Sequence, residues 1–193
     1  METTTTIGVS LAVPEPYGRL LQERRAGFGD PAAYAIPTHV TLLPPTEVGR
    51  SELPPFRRHL AKVAAEGRPF AMRLHGTDTF RPLSPVVYVH LAEGAGECAE
   101  LQERLRSGPV ERELQFPYHP HVTVAHAIPD AALDRAQREL ADFAAAWTAT
   151  GFALYEQGGD GVWRKMRDYP FGAEPPSPAV PHQGAVRTAA SPR

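Results

Sequence analysis

Apolar residues recur along the chain in two alternating rhythms. Ile7, Val9, Leu11 and Val13 stand two apart with Gly8, Ser10 and Ala12 between them, which predicts a strand with one buried side. Tyr17 and Leu21 then share a helical face at four-residue spacing, and Gly29 to Pro31 end that helix. His39 to Leu43 reads as a second strand, stopped by Pro44 and Pro45 because proline cannot donate to a ladder. Phe56, Leu60 and Val63 mark an amphipathic helix entered through Pro54 and Pro55. Met72 and Leu74, alternating with Arg73 and His75, give the strand that closes this half.

The same order then returns. Val87, Val89 and Leu91 alternate with Tyr88 and His90 as a strand, and Cys98, Leu101 and Leu105 form a helix face stopped by Gly108 and Pro109. His121 to Ala125 is the next strand, and Asp130 is a candidate N-cap for a helix carrying Leu133, Leu140 and Phe143. A strand through Phe152 and Leu154, a turn at Gly158 to Gly161 and a last strand from Val162 to Arg167 complete the pattern. Each half therefore runs strand, helix, strand, helix, strand, with one extra strand at the end.

Composition narrows what such a chain does. At 193 residues and 42% apolar content it can bury a core of one ordinary domain. Its net charge of −2 excludes a strongly basic nucleic-acid clamp. The single cysteine, Cys98, cannot form an intramolecular disulfide or a thiolate zinc site, which points to a reducing compartment. No basic start or twenty-residue apolar run marks a signal peptide or membrane span, so a cytoplasmic protein is expected. Residues 1–172 are expected to form the folded domain. The segment 173–193, rich in proline and alanine, cannot bury enough apolar area to offset its ordering entropy and reads as a disordered tail.

The chemistry lies in a repeat. Thr38-His39-Val40-Thr41-Leu42 returns as Pro120-His121-Val122-Thr123-Val124, an offset of 121 − 39 = 82 residues. On a strand, His39 and Thr41 face one side while Val40 and Leu42 face the other, and the second copy does the same. By composition, histidine-valine-threonine followed by leucine or valine is expected on the order of 0.006 times by chance. It occurs twice. If the two polar faces meet across a cleft, two imidazoles and two hydroxyls surround one small group. A phosphodiester suits that arrangement, because in-line cleavage needs a base on one side and an acid on the other. Histidine serves in either role near neutral pH, and a threonine hydroxyl can donate to a non-bridging oxygen. No metal or other cofactor is required for this scheme.

At this point the chain resembles the 2H (two-histidine) phosphoesterase superfamily, which includes bacterial 2′-5′ RNA ligases and RNA 2′,3′-cyclic phosphodiesterases. The resemblance rests on His39-Val40-Thr41-Leu42 and His121-Val122-Thr123-Val124 and extends over about residues 5 to 172. It implies an α+β, bilobal fold with antiparallel sheets lining a central cleft and helices outside. It also implies metal-free cleavage of cyclic phosphates or 2′-5′ linkages in nucleotides or RNA. His39 and His121 would be the acid and base, with Thr41 and Thr123 as phosphate-binding hydroxyls. The implied partner is a nucleotide or RNA end, and two motifs in one chain complete a site without a protein partner, so a monomer suffices.

Other residues have weaker claims. Tyr88, on the expected cleft face, could stack a base. Arg73 shares a face with His75 and could approach an anion, and Phe116 and Tyr118 could wall the pocket. Arg164, Lys165 and Arg167 form a local positive cluster that either steers an anion or protects an edge strand. His75-Gly76-Thr77 lacks flanking apolar residues and reads as incidental. Two rival readings attach to His119-Pro120-His121: a histidine-triad hydrolase fails because position 123 is Thr123, and a metal site of His119, His121 and His126 lacks acidic or cysteine company. A non-catalytic nucleotide-binding module with the same cleft is the alternative to an enzyme.

Overall fold

The alternating N-terminal stretch is strand β1 (Thr4–Ala12) of the computed structural model, which describes residues 3–173. There follow α1 (Tyr17–Gly27), β2 (His39–Gly49), α2 (Leu53–Glu66), β3 (Phe70–Thr79), β4 (Val86–Glu93) and α3 (Ala95–Arg106). The chain continues as β5 (His121–His126), α4 (Asp130–Glu139), β6 (Ala144–Ala149), β7 (Gly151–Gln157) and β8 (Trp163–Pro170). The strands form two antiparallel four-stranded sheets, ordered β2-β1-β7-β8 and β5-β4-β3-β6. The repeated order is present as β1α1β2α2β3 and β4α3β5α4β6, so the fold is α+β and duplicated.

The sheets are not the two halves. β3, which ends the first half, pairs with β4 and β6, while β7 and β8 complete the sheet of β1 and β2. The helices cross as well: α1 packs on β5, and α3 packs on β2. Leu42, Phe56, Leu60, Leu74, Val89, Val124 and Leu133 are fully buried between these layers. Truncating one of them, as in Leu60→Ala, costs about 2–5 kcal/mol through lost contacts and a residual cavity.

Several elements depart from the sequence pattern for identifiable reasons. β2 does not stop at Pro44 and Pro45 but runs on to Gly49. Ile7 pairs with Thr46 and Val9 with Leu43, so β2 carries one residue more than β1 over that interval, and the prolines occupy the bulge. β2 is also an edge strand, where a missing N–H goes unmissed. β1 is buried on both sides, and Trp163 at the start of β8 lies over Gly8. Asp130 is the first helical residue after Pro129 rather than a side-chain cap, and it faces Arg81 at 3.4 Å. α4 ends at Glu139, leaving Phe143 beyond it, and the small residues of Ala144–Ala149 form β6 against β3. There are thus two extra strands at the end, not one.

From residue 174 onward the expected tail lies outside the described residues. No helix among the described residues is long and apolar enough to cross a membrane.

Candidate active site

β2 and β5 are each the edge strand of their sheet, and the two edges approach one another. That places His39 and Thr41 on one rim of a cleft and His121 and Thr123 on the other. Two links fix the seam, one from each half. The Tyr118 hydroxyl, in the loop before β5, donates to the Thr41 carbonyl of β2 at 2.8 Å. Asp30, in the loop after α1, accepts from the His126 backbone N–H of β5 at 3.0 Å and from Arg25 Nε at 2.7 Å. Arg25 and Asp30 are both buried. A charge pair so enclosed holds its geometry because losing either partner strands the other.

Both imidazoles are held by one local device. His39 Nδ1 lies 2.7 Å from the Pro37 carbonyl, and His121 Nδ1 lies 2.7 Å from the His119 carbonyl, two residues upstream in each case. A carbonyl oxygen only accepts, so each Nδ1 carries the proton. Each neutral ring therefore keeps its lone pair on Nε2. Among the described residues no protein group engages the Thr41 or Thr123 hydroxyl as a hydrogen-bond partner, which leaves both available to a ligand.

The surroundings bias both rings toward the neutral form. Burial lowers the pKa of His39 to about 4, and positive charge on Arg25 and His121 acts in the same direction against the Pro37 carbonyl. Burial likewise lowers His121, opposed by the His119 carbonyl and reinforced by the His119 ring. An anion placed between two such rings would favour protonating one while the other stays neutral.

The neighbours of the two motifs differ. Thr123 is paired with Tyr88 across the ladder, and Thr41 with Ser10. Tyr88 is buried and stacks on Phe80 with ring centres 4.4 Å apart, and Phe80 meets His121 edge-on at 4.9 Å. His119 completes this aromatic group at 5.4 Å from Phe80. On the other side, Ser10 leaves space: a pocket of about 80 Å³ is lined by Gly8, Ser10, His39, Thr41, Tyr155 and Trp163.

The weaker sequence candidates are distributed unevenly. Tyr88 stands behind His121 in this ring cluster. Tyr118 is occupied as the seam link, and burial pushes its hydroxyl pKa up. Phe116 is exposed. Arg73 sits on β3, two strands from β5, beside Glu93 at 3.8 Å, so the structure does not bring it to the histidines. The basic cluster on β8 is largely paired: Arg164 with Asp160, Lys165 with Asp168, while Arg167 lies over the Tyr169 ring. His75 and Thr77 lie on β3 around a bulge at Gly76, whose φ of 72° suits glycine, and the Thr77 hydroxyl donates to the Gln137 carbonyl. Among the described residues no group of three or more histidine, cysteine, aspartate or glutamate side chains is placed to hold a metal ion.

Sequence reading missed Phe80, Arg25, Asp30, Ser10 and Trp163. A usable signal existed for Ser10 alone: Gly8, Ser10 and Ala12 make one strand face of small residues, which marks space or close approach.

Comparison with known proteins finds a family and a fold. The family model for the 2′-5′ RNA ligase superfamily matches residues 13–161. A candidate phosphoesterase of Bacillus licheniformis is 35% identical over 101 residues, 52% of this chain and 59% of that protein. Another, from Halalkalibacterium halodurans, is 32% identical over 117 residues, 61% of this chain and 67% of its own length. The chain thus spans somewhat over half of the first relative and two thirds of the second. Escherichia coli LigT, solved with 3′-AMP, has the same fold with a TM-score of 0.59 at 17% identity, covering 88% of this chain and 99% of LigT. A Thermus thermophilus protein of known structure aligns with the same score and coverage at 23% identity.

Proposed function

The chain belongs to the 2′-5′ RNA ligase superfamily, and from that premise we propose that it is a metal-independent phosphodiesterase acting on 2′,3′-cyclic phosphates or 2′-5′ phosphodiesters of nucleotides or RNA ends. One observation carries the reading. His39 and His121 are locked by the same Nδ1 contact to a carbonyl two residues upstream, on facing edge strands, with Nε2 of each free for proton transfer. Solved LigT structures hold 3′-AMP, ATP and phosphate, which is the ligand chemistry such a cleft would take.

In the proposed reaction the phosphate lies between the two rims. One neutral imidazole accepts a proton from an attacking water at Nε2, and the oxygen of that water bonds to phosphorus. The bond from phosphorus to the ribose oxygen on the far side breaks, and the protonated second imidazole gives that oxygen its proton. The Thr41 and Thr123 hydroxyls donate to the non-bridging oxygens, where charge builds in the transition state. For a 2′,3′-cyclic phosphate the product is a nucleoside monophosphate, and the net proton count is unchanged.

The test is a product-resolved assay with chelator present, over 2′,3′-cyclic nucleotides, RNA ending in a cyclic phosphate, and 2′-5′ dinucleotides. Conversion of at least one class to a single phosphomonoester isomer, undiminished by chelator, is expected. Saturable, salt-sensitive binding without product would instead identify a binding module.

A further inference from the structure

The space beside Thr41 exists because β1 carries small residues where β4 carries large ones. Ser10 stands opposite Thr41 as Tyr88 stands opposite Thr123, and Gly8 occupies the place two residues before, where β4 has Val86. Trp163 closes the resulting pocket. A Cβ on Gly8 would lie 3.2 Å from Cζ3 and 3.5 Å from Cη2 of Trp163, so the benzo edge of the indole rests on the glycine. The Trp163 backbone N–H donates to the Ala35 carbonyl at 2.7 Å, which ties this wall to the loop leading into His39.

Ser10 supplies the independent sign of a ligand. The residue is 4% exposed and lines the pocket, and its buried Oγ has no completed hydrogen bond. The Tyr155 hydroxyl is near enough to feel Ser10, but the geometry of a normal bond is not reached. Buried hydroxyls are nearly always paired, and an unpaired one facing a pocket is suited to a partner that arrives with the ligand.

We propose that this pocket is the nucleobase site: a single flat ring stacks on the indole face of Trp163 while Ser10 Oγ bonds to its edge. The volume of about 80 Å³ suits one ring system. The counterpart space in the other sheet is filled by Tyr88 and Phe80, so base recognition resides on the His39 side alone. This assignment rests on the phosphodiesterase reading above and deepens it by naming where the nucleoside is recognised.

The experiment compares kcat/KM for cytidine 2′,3′-cyclic phosphate, whose base is a single ring, with that for methyl riboside 2′,3′-cyclic phosphate, which lacks the base, in full-length protein. In Trp163→Ala the ratio of the two should fall about tenfold, the order expected for a lost stacking platform. Ser10→Ala should lower it severalfold. Ratios unchanged in both variants would overturn the proposal. A second readout does not depend on turnover: in Trp147→Phe protein, where Trp163 is the only tryptophan, 3′-CMP should quench fluorescence saturably and inorganic phosphate should not. Absence of a difference between the two ligands would overturn the pocket assignment. Lack of turnover accompanied by that quenching would instead refute only the phosphodiesterase reading.

Discussion

The two motif strands match in their reactive groups and differ in what stands behind them. His39 and His121 share the tautomer-fixing contact at Nδ1, the hydroxyl two residues on, and an edge position. Behind His121 lie Phe80, Tyr88 and His119, a packed aromatic group. Behind His39 lie Gly8, Ser10 and the Trp163 wall around open space. The duplication therefore preserves the pair of groups that the proposed acid-base chemistry would use and relaxes what surrounds it. Recognition of one particular substrate end requires the two sides to differ.

The matched part is broken most severely by removing either imidazole. His39→Ala and His121→Ala should each lower turnover by about 10²–10⁴-fold, the usual worth of a positioned acid or base. The double variant should lose little more than either single one, because the two act as a unit. Steady-state kinetics with unchanged thermal midpoints would establish this, and one variant keeping wild-type activity would remove its histidine from the mechanism.

The seam breaks unequally. Asp30→Ala strands the buried Arg25 guanidinium and releases the His126 N–H, so a loss of about 3–5 kcal/mol in urea unfolding is expected. A loss under 1 kcal/mol would mean that the pair is not enclosed in solution. The other link is a single neutral hydrogen bond, and Tyr118→Phe should cost about 1 kcal/mol or less.

Between these in size lies the pH dependence of stability. His39 is held near 4 in the folded protein against about 6.5 in an unfolded chain. The unfolded state therefore binds more protons in this window, and stability falls as pH drops from about 6.5 toward 4. Above 6.5 the group contributes no further change. His39→Asn should remove about 2 kcal/mol of the difference between pH 7.5 and pH 5. An identical acid slope in the variant would place the titration elsewhere.

Much of this was legible in the sequence because it is local. Val40 and Leu42 against His39 and Thr41 define a two-faced strand without reference to the rest of the chain, and the second copy makes coincidence untenable. The helix faces of Leu60 and Leu105 are likewise local, and both side chains are fully buried. What was not legible depends on partners far away in sequence. Pro44 and Pro45 stop a regular ladder, yet here they sit in a bulge on an edge strand, and only the register with Ile7 and Val9 reveals it. The alanines of Ala144–Ala149 give almost no alternation contrast, and that strand exists because β3 offers it a free edge. The exchange of β3 into the second sheet is invisible to periodicity. So is the placement of Trp163 over Gly8, which lie 155 residues apart in the chain.

The most direct test of two neutral-leaning imidazoles working as acid and base is the pH profile of kcat/KM for a 2′,3′-cyclic nucleotide, measured with chelator present. Since burial lowers both His39 and His121, a bell with its optimum below about 6.5 is predicted. The corresponding kcat bell should be displaced to higher pH, because the bound phosphate raises both groups. A rate that climbs steadily with pH through about 7 to 9, or that chelator abolishes, would contradict the account.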